Sequence, residues 1–194
     1  MFKRRVLMLF AAALAACTET TGPGGVDHAD LNIIRQDTLA PPLVATRDSF
    51  WATVGDDREV RLFYQGGEEF LRFEVPSDGL YRKPDGSAFQ PGDSILITVT
   101  VTDPSRFLFT FEPTGLQFDP DHTARLRVRY RNCERDFNGD GVEDEADDDI
   151  EGDLDLWHRA SPNDLWFRTG GVKFEELDEI DVNIFGFSQY AVAW

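Results

Sequence analysis

Asp136, Asn138, Asp140, Asp144 and Asp147 occupy positions 1, 3, 5, 9 and 12 of the stretch DFNGDGVEDEAD, with Gly141 at position 6 and Val142 at position 7. That spacing suits a calcium ion. Ca²⁺ takes about six to eight oxygen ligands, and a short segment supplies them only by curling round it. Side-chain oxygens serve at positions 1, 3 and 5, a glycine at 6 permits the turn, a backbone carbonyl serves at 7, and carboxylates or water-mediated contacts complete the set at 9 and 12. Val142 contributes through its carbonyl, so its apolar side chain is no obstacle. Two positions depart from the helix-flanked form of such a loop: Glu143 stands at position 8, usually apolar, and Asp147 at position 12 is shorter than the usual Glu. Asp148, Asp149, Glu151 and Asp153 lie beyond the pattern, where they add a ligand or merely raise the local field. The alternative is an acidic surface turn with no ion.

The flanks are not strongly helical. RVRYRNCER before the loop continues a strand, and DDDIEGDLDL after it is expected to hold a turn or so of helix at most. In this respect the segment resembles dockerin and thrombospondin type-3 calcium loops, in which D-x-[DN]-x-D-G-x-x-D-x-x-D recurs. The chain has one copy, which argues against a cohesin-binding dockerin.

A second set of residues is patterned for charge recognition. In ARLRVRYR, residues 124 to 131, Leu126, Val128 and Tyr130 share one strand face and Arg125, Arg127, Arg129 and Arg131 the other. Four guanidinium groups along one face repel one another unless neutralised. Either they pair with carboxylates on neighbouring strands or on the acidic loop, or they form a strip for anions such as lipid phosphate, polysaccharide acids or a partner protein, which Arg forks suit. Catalytic patterns are thin by comparison: His28, His122 and His158 are far apart, and there is no HExxH, G-x-S-x-G or CxxC.

The elements that must position these residues read as strands. Period-two alternation marks SFWATV (49–54), REVRLFY (58–64), FLRFEV (70–75), SILITVTVT (94–102), RFLFTFE (106–112), ARLRVRYR (124–131), DLDLWH (153–158), and DVNIF and SQYAVAW near the end. Turn residues such as GDD, QGGEE and DPS separate them, and residues 75–94 make a longer loop. No long amphipathic helix is evident. The fold class expected is all-β: an antiparallel β-sandwich over residues 43–194 with an acidic insertion at 132–153. Phe107, Phe109 and Phe111 belong on one inner strand face, as do Ile95, Ile97, Val99 and Val101 on theirs.

The start of the chain is of another kind. Lys3, Arg4 and Arg5 precede an apolar run, Val6 to Ala16, too short to span a bilayer, which needs about 20 residues. Leu14-Ala15-Ala16-Cys17 resembles the bacterial lipoprotein signal, in which the Cys is lipidated and becomes the first mature residue. Residues 1–16 are then a signal peptide, Cys17 the lipid attachment, and 17–42, broken by Gly and Pro, a flexible tether with a reach of about 25–30 Å. Cys133 is left unpaired, most simply as a small buried hydrophobe. Without Lys3, Arg4 and Arg5 the balance of 19 basic against 36 acidic residues moves from −17 to −20. Nucleic acid is therefore not an expected partner. Residues 134–155 hold 12 of the acids and a single base, Arg135, so much of that imbalance is local.

From Ser94 to Trp194 the chain resembles the ZU-type β-sandwich of ankyrins, netrin receptors and bacterial lipoproteins, through ITVTVTDPSRFLFTFEPTGLQFDPD and the closing FGFSQYAVAW. The resemblance implies a domain used mainly for protein interaction. Some relatives cleave themselves before a Ser in His-Phe-Ser. Here that triplet is Gly186-Phe187-Ser188, and a Ser without its base is not activated. The sequence reading is thus a non-enzymatic lipoprotein of the cell envelope, in the outer membrane where two membranes exist, since Thr18 replaces the inner-membrane Asp signal. Its expected cofactor is Ca²⁺ and its partner a protein or envelope polysaccharide. A secreted hydrolase or carbohydrate-binding module with a calcium-supported groove is the alternative.

Overall fold

The computed structural model describes residues 24–194. The signal peptide and Cys17 lie outside the described residues. Strands dominate and pair antiparallel throughout. A six-stranded sheet runs β1 (Arg47–Thr53), β5 (Ser94–Asp103), β6 (Leu108–Glu112), β13 (Gln189–Ala193), β9 (Asp155–Arg159), β10 (Phe167–Arg168). A five-stranded sheet runs β11 (Val172–Phe174), β12 (Glu179–Ile184), β8 (Ala124–Arg129), β3 (Glu69–Val75), β2 (Arg58–Phe63). The short strands β4 (Leu80–Arg82) and β7 (Gln117–Phe118) pair separately.

Alternating apolar residues carry the two sheets into one core. Phe107, Phe109 and Phe111 are fully buried, as are Ile97, Val99 and Leu126, Val128, Tyr130. Rings from the two sheets meet edge to face: Phe73 of β3 lies 5.2 Å from Phe111 of β6, and Phe70 lies 5.7 Å from Phe109. Phe187, between β12 and β13, touches both Phe73 and Phe118 at 5.3 and 5.0 Å.

Two expectations are corrected. The flexible tether does not extend through residues 24–42. Val26 exchanges two backbone hydrogen bonds with Trp166, at 2.9 and 2.8 Å, and the Ile34 N–H donates to Val192 while the Phe107 N–H donates back to Ile34. Leu31, Ile33 and Ile34 are buried, Ile34 in the main core and the other two under Trp157 and Trp166. Three apolar side chains in a polar stretch suffice because a partner surface for them exists on the six-stranded sheet. The second correction is a helix of nine residues, α1 (Glu145–Asp153), where a turn or so was expected. Asp144 caps it by accepting from the Ala146 N–H, and Asp147 reaches back to the Asp144 N–H. Glu145, Asp147 and Asp148 lie in the first turn, where the helix dipole favours acids.

Candidate functional site

The acidic loop hangs between β8 and β9 and is wound on its own carboxylates. Asp136 accepts three backbone N–H groups, from Gly139 at 2.8 Å, Asp140 at 3.1 Å and Gly141 at 2.8 Å. Asn138 Oδ1 accepts from the Asp140 N–H at 2.8 Å, and Asp140 Oδ1 from the Val142 N–H at 2.9 Å. These turns require left-handed backbone at Gly139 (φ 75°) and Gly141 (φ 88°), which a side chain at either position would strain. Asp147 closes the loop: one oxygen accepts from the Asn138 N–H at 3.0 Å and the other from the Asp144 N–H at 3.1 Å. Its side chain is buried, and those N–H groups, Asn138 first, hold its carboxyl below the usual range. Val142 stands exposed at the tip.

Oxygen donors at positions 1, 3, 5 and 12 and the glycine turn at 6 are the chemistry a hard cation needs. A carboxylate has about four lone-pair sites, so acceptance from the backbone does not exhaust it. Among the described residues, however, no three His, Cys, Asp or Glu side chains are gathered so as to hold a metal ion. The loop closes on N–H donors instead.

Three contacts tie it to the sheets. Arg135 lies between Glu151 of α1, at 2.8 Å, and Asp178, at 2.7 Å, with its guanidinium 5.7 Å from the Tyr130 ring centroid. Phe137 packs edge-on to Trp194 at 5.7 Å, and Leu154 enters the core. On its other side the loop borders a cavity of about 580 Å³ lined by His28, Arg35, Arg106, Glu134, Asp136 and Trp194, among others. Cys133 is free and buried, its thiol pushed up to about 12 by burial. It behaves as a core side chain rather than a reactive thiol.

The arginine strip is neutralised from within. Arg125 reaches Asp181 at 2.5 Å, and Arg127 bridges Asp181 and Glu179 at 3.1 and 3.0 Å. Arg129 pairs with Glu179 at 2.9 Å, and Arg131 with Asp178 at 3.2 Å. Their partners sit on or beside β12, hydrogen-bonded alongside β8, and not on the acidic loop. Glu179 and Asp181 lie beneath the guanidinium groups and are themselves buried. The premise of an anion-binding strip, unpaired arginines, is absent for these four.

Sequence separation concealed one contact with catalytic residue types. Ser188 Oγ lies 2.8 Å from His158 Nε2 and donates a short hydrogen bond to the Arg159 carbonyl. A hydroxyl has one proton, so His158 must donate through Nε2 and the serine lone pair receives it. A nucleophile needs the reverse polarity. The His158 ring also lies 4.7 Å from the Tyr190 ring, tilted 38° to it, and burial lowers its pKa. His122 sits in an exposed turn between Asp78 and Asp119, and His28 accepts from the Trp166 indole at 3.2 Å. No family model matches the chain, and comparison with curated proteins and with solved structures returned no match.

Proposed function

We propose that this chain is a non-enzymatic lipoprotein of the cell envelope, anchored through Cys17, whose β-sandwich carries a calcium-stabilised loop and serves as a binding module for a protein or an envelope polymer. The observation that carries the reading is the loop itself. An oxygen-rich turn with calcium spacing is stitched at both ends into the strands it joins, through Arg135, Phe137 and Leu154. Asp136, Asn138, Asp140, Asp144 and Asp147, with the Val142 carbonyl, are the residues that would hold the ion, and its role there is to order the loop. The internal pairing of the arginine face supports partner contacts elsewhere, and the polarity of the Ser188–His158 pair favours a binding role over hydrolysis.

A lone loop of this kind should bind with Kd on the order of 10⁻⁴–10⁻³ M. At free Ca²⁺ about tenfold above Kd, linkage adds about 1.4 kcal/mol, a rise of a few degrees in Tm for a domain of this size. Melting of the lipid-free chain from Thr18 onward, in millimolar Ca²⁺ and in chelator, reads this directly. Asp140→Ala should abolish the shift and leave the sheets folded. Equal melting with and without Ca²⁺, and no binding heat, would reduce the segment to an acidic turn. The anchor is tested separately: wild type should partition into detergent and Cys17→Ser should not, or should stay unprocessed. A soluble chain beginning at an unmodified Cys17 would refute it.

A further inference from the structure

Twelve large apolar side chains stand exposed on the described residues, and six of them, Leu165, Phe167, Val172, Phe174, Leu177 and Phe185, fall between residues 165 and 185. This stretch holds β10, the outer strand of one sheet, and β11, the outer strand of the other. The described chain enters at the same edge. Val26 is bridged to Trp166, and a Cβ placed on Gly25 would come within 2.7 Å of Leu165 Cβ and 2.8 Å of the Phe167 ring. Leu165 and Phe167 flank the buried Trp166 in strand alternation, so both turn outward, and the backbone at Gly25 lies against them.

Chain length then sets an orientation. Cys17 to Gly24 is seven residue steps, which at full extension reach about 25 Å. A body of this size has a radius of gyration of about 16 Å and measures roughly 40 Å across. A lipid on Cys17 cannot let the molecule turn this edge away from the bilayer. We propose that the β10 edge, centred on Leu165 and Phe167, is the membrane-facing surface and rests on the lipid interface; this builds on the lipidation of Cys17. Charge permits the contact. Beside the Val26–Trp166 bridge the exposed charges are Asp27, Asp30 and Asp164 against Arg168, with Arg159 buried over the Trp166 ring, a small local imbalance in a chain of formal charge −17. Two half-exposed apolar side chains bind lipid weakly on their own. A short tether, however, raises their effective concentration at the surface to about the millimolar range, enough to populate a weak contact.

The test couples the chain beginning at Cys17, which retains every described residue, to a maleimide lipid in phosphatidylcholine vesicles. Cys133 is buried, so coupling falls on Cys17. Chemical coupling makes the outcome independent of natural processing, and failure here is distinct from failure of the detergent-partition test. Hydrogen exchange at residues 165–168 should slow several-fold relative to uncoupled protein mixed with the same vesicles. Exchange at residues 49–52 should not change, because β1 is five strands away in the same sheet, about 24 Å. Leu165→Ser with Phe167→Ser should keep the melting point and lose the slowing. Equal exchange at both edges of the wild type overturns the proposal whatever the variant does. So does slowing that appears without vesicles and grows with protein concentration, which would mark a second copy as the occupant.

Discussion

Arg127 stands between two buried carboxylates, and that position defines what it does. Its side chain is 23% exposed while those of Glu179 and Asp181 are 5% and 6% exposed, so the arginine is part of the cover that keeps water from the acids. Removing one partner from such a set is costly chiefly because it leaves charge buried and uncompensated. Arg125 and Arg129 each retain one of the two acids, so Arg127→Ala should cost about 2–3 kcal/mol, below the range for a fully orphaned pair. Lys should rescue little, since a point charge cannot serve both carboxylates as a fork does. Urea unfolding measures this, and a loss under about 0.5 kcal/mol, the scale of an exposed pair, would show the ladder to be ornamental. The alternation of Arg125 to Arg131 was legible in the sequence. Its partners, about 50 residues downstream, were not, because alternation says which face a side chain takes and nothing of which strand lies beside it.

Among elements, the longer strands were legible because each is half buried and writes period two into the sequence. The strands missed, β4, β7, β10 and β11, have two or three residues, too few for any period. Helix α1 was missed for a different reason: its apolar content is low, and it is held by an acidic cap and by Arg135 rather than by a hydrophobic stripe. The calcium spacing and the helix cap share Asp144 and Asp147, so one reading of those acids hid the other. The N-terminal segment is the largest departure. Polar composition signalled a tether, and Leu31, Ile33 and Ile34 alone signalled otherwise. Ile34→Ala should therefore destabilise the fold by about 2–4 kcal/mol, as a core cavity does, where a tether residue would cost nothing. Comparing this variant with wild type in chemical denaturation decides between the two, and a chain begun at residue 43 should fail to reach native stability.

For the molecule as a whole, acidification sets two effects of opposite sign against each other. The chain carries 36 acidic against 19 basic residues, and lowering the pH relieves their mutual repulsion, which favours the compact state. Against this, burial lowers the pKa of His158, and burial with Arg159 and Arg106 lowers that of His28. In the unfolded chain a histidine titrates near ~6.5. Between that value and the depressed folded value the unfolded chain binds more protons, so the stability these histidines allow is complete above about pH 6.5 and is lost as the pH falls below it. A second loss follows lower still, below the ordinary carboxylate range, as Asp147 and the hydrogen-bonded Asp85, Asp93 and Asp103 are protonated. Salt separates the two effects: it screens repulsion among exposed carboxylates, with a Debye length of about 4–5 Å at half-molar ionic strength, but barely touches a desolvated ring. In high salt, Tm should therefore drop by a few degrees between pH 7.5 and 5.5. His158→Gln, whose amide N–H can still donate to Ser188 Oγ, should reduce that drop while leaving the melting point at pH 7.5 nearly unchanged. If wild type and His158→Gln lose the same amount in high salt, protonation of the His158 ring is not what loosens the sheets.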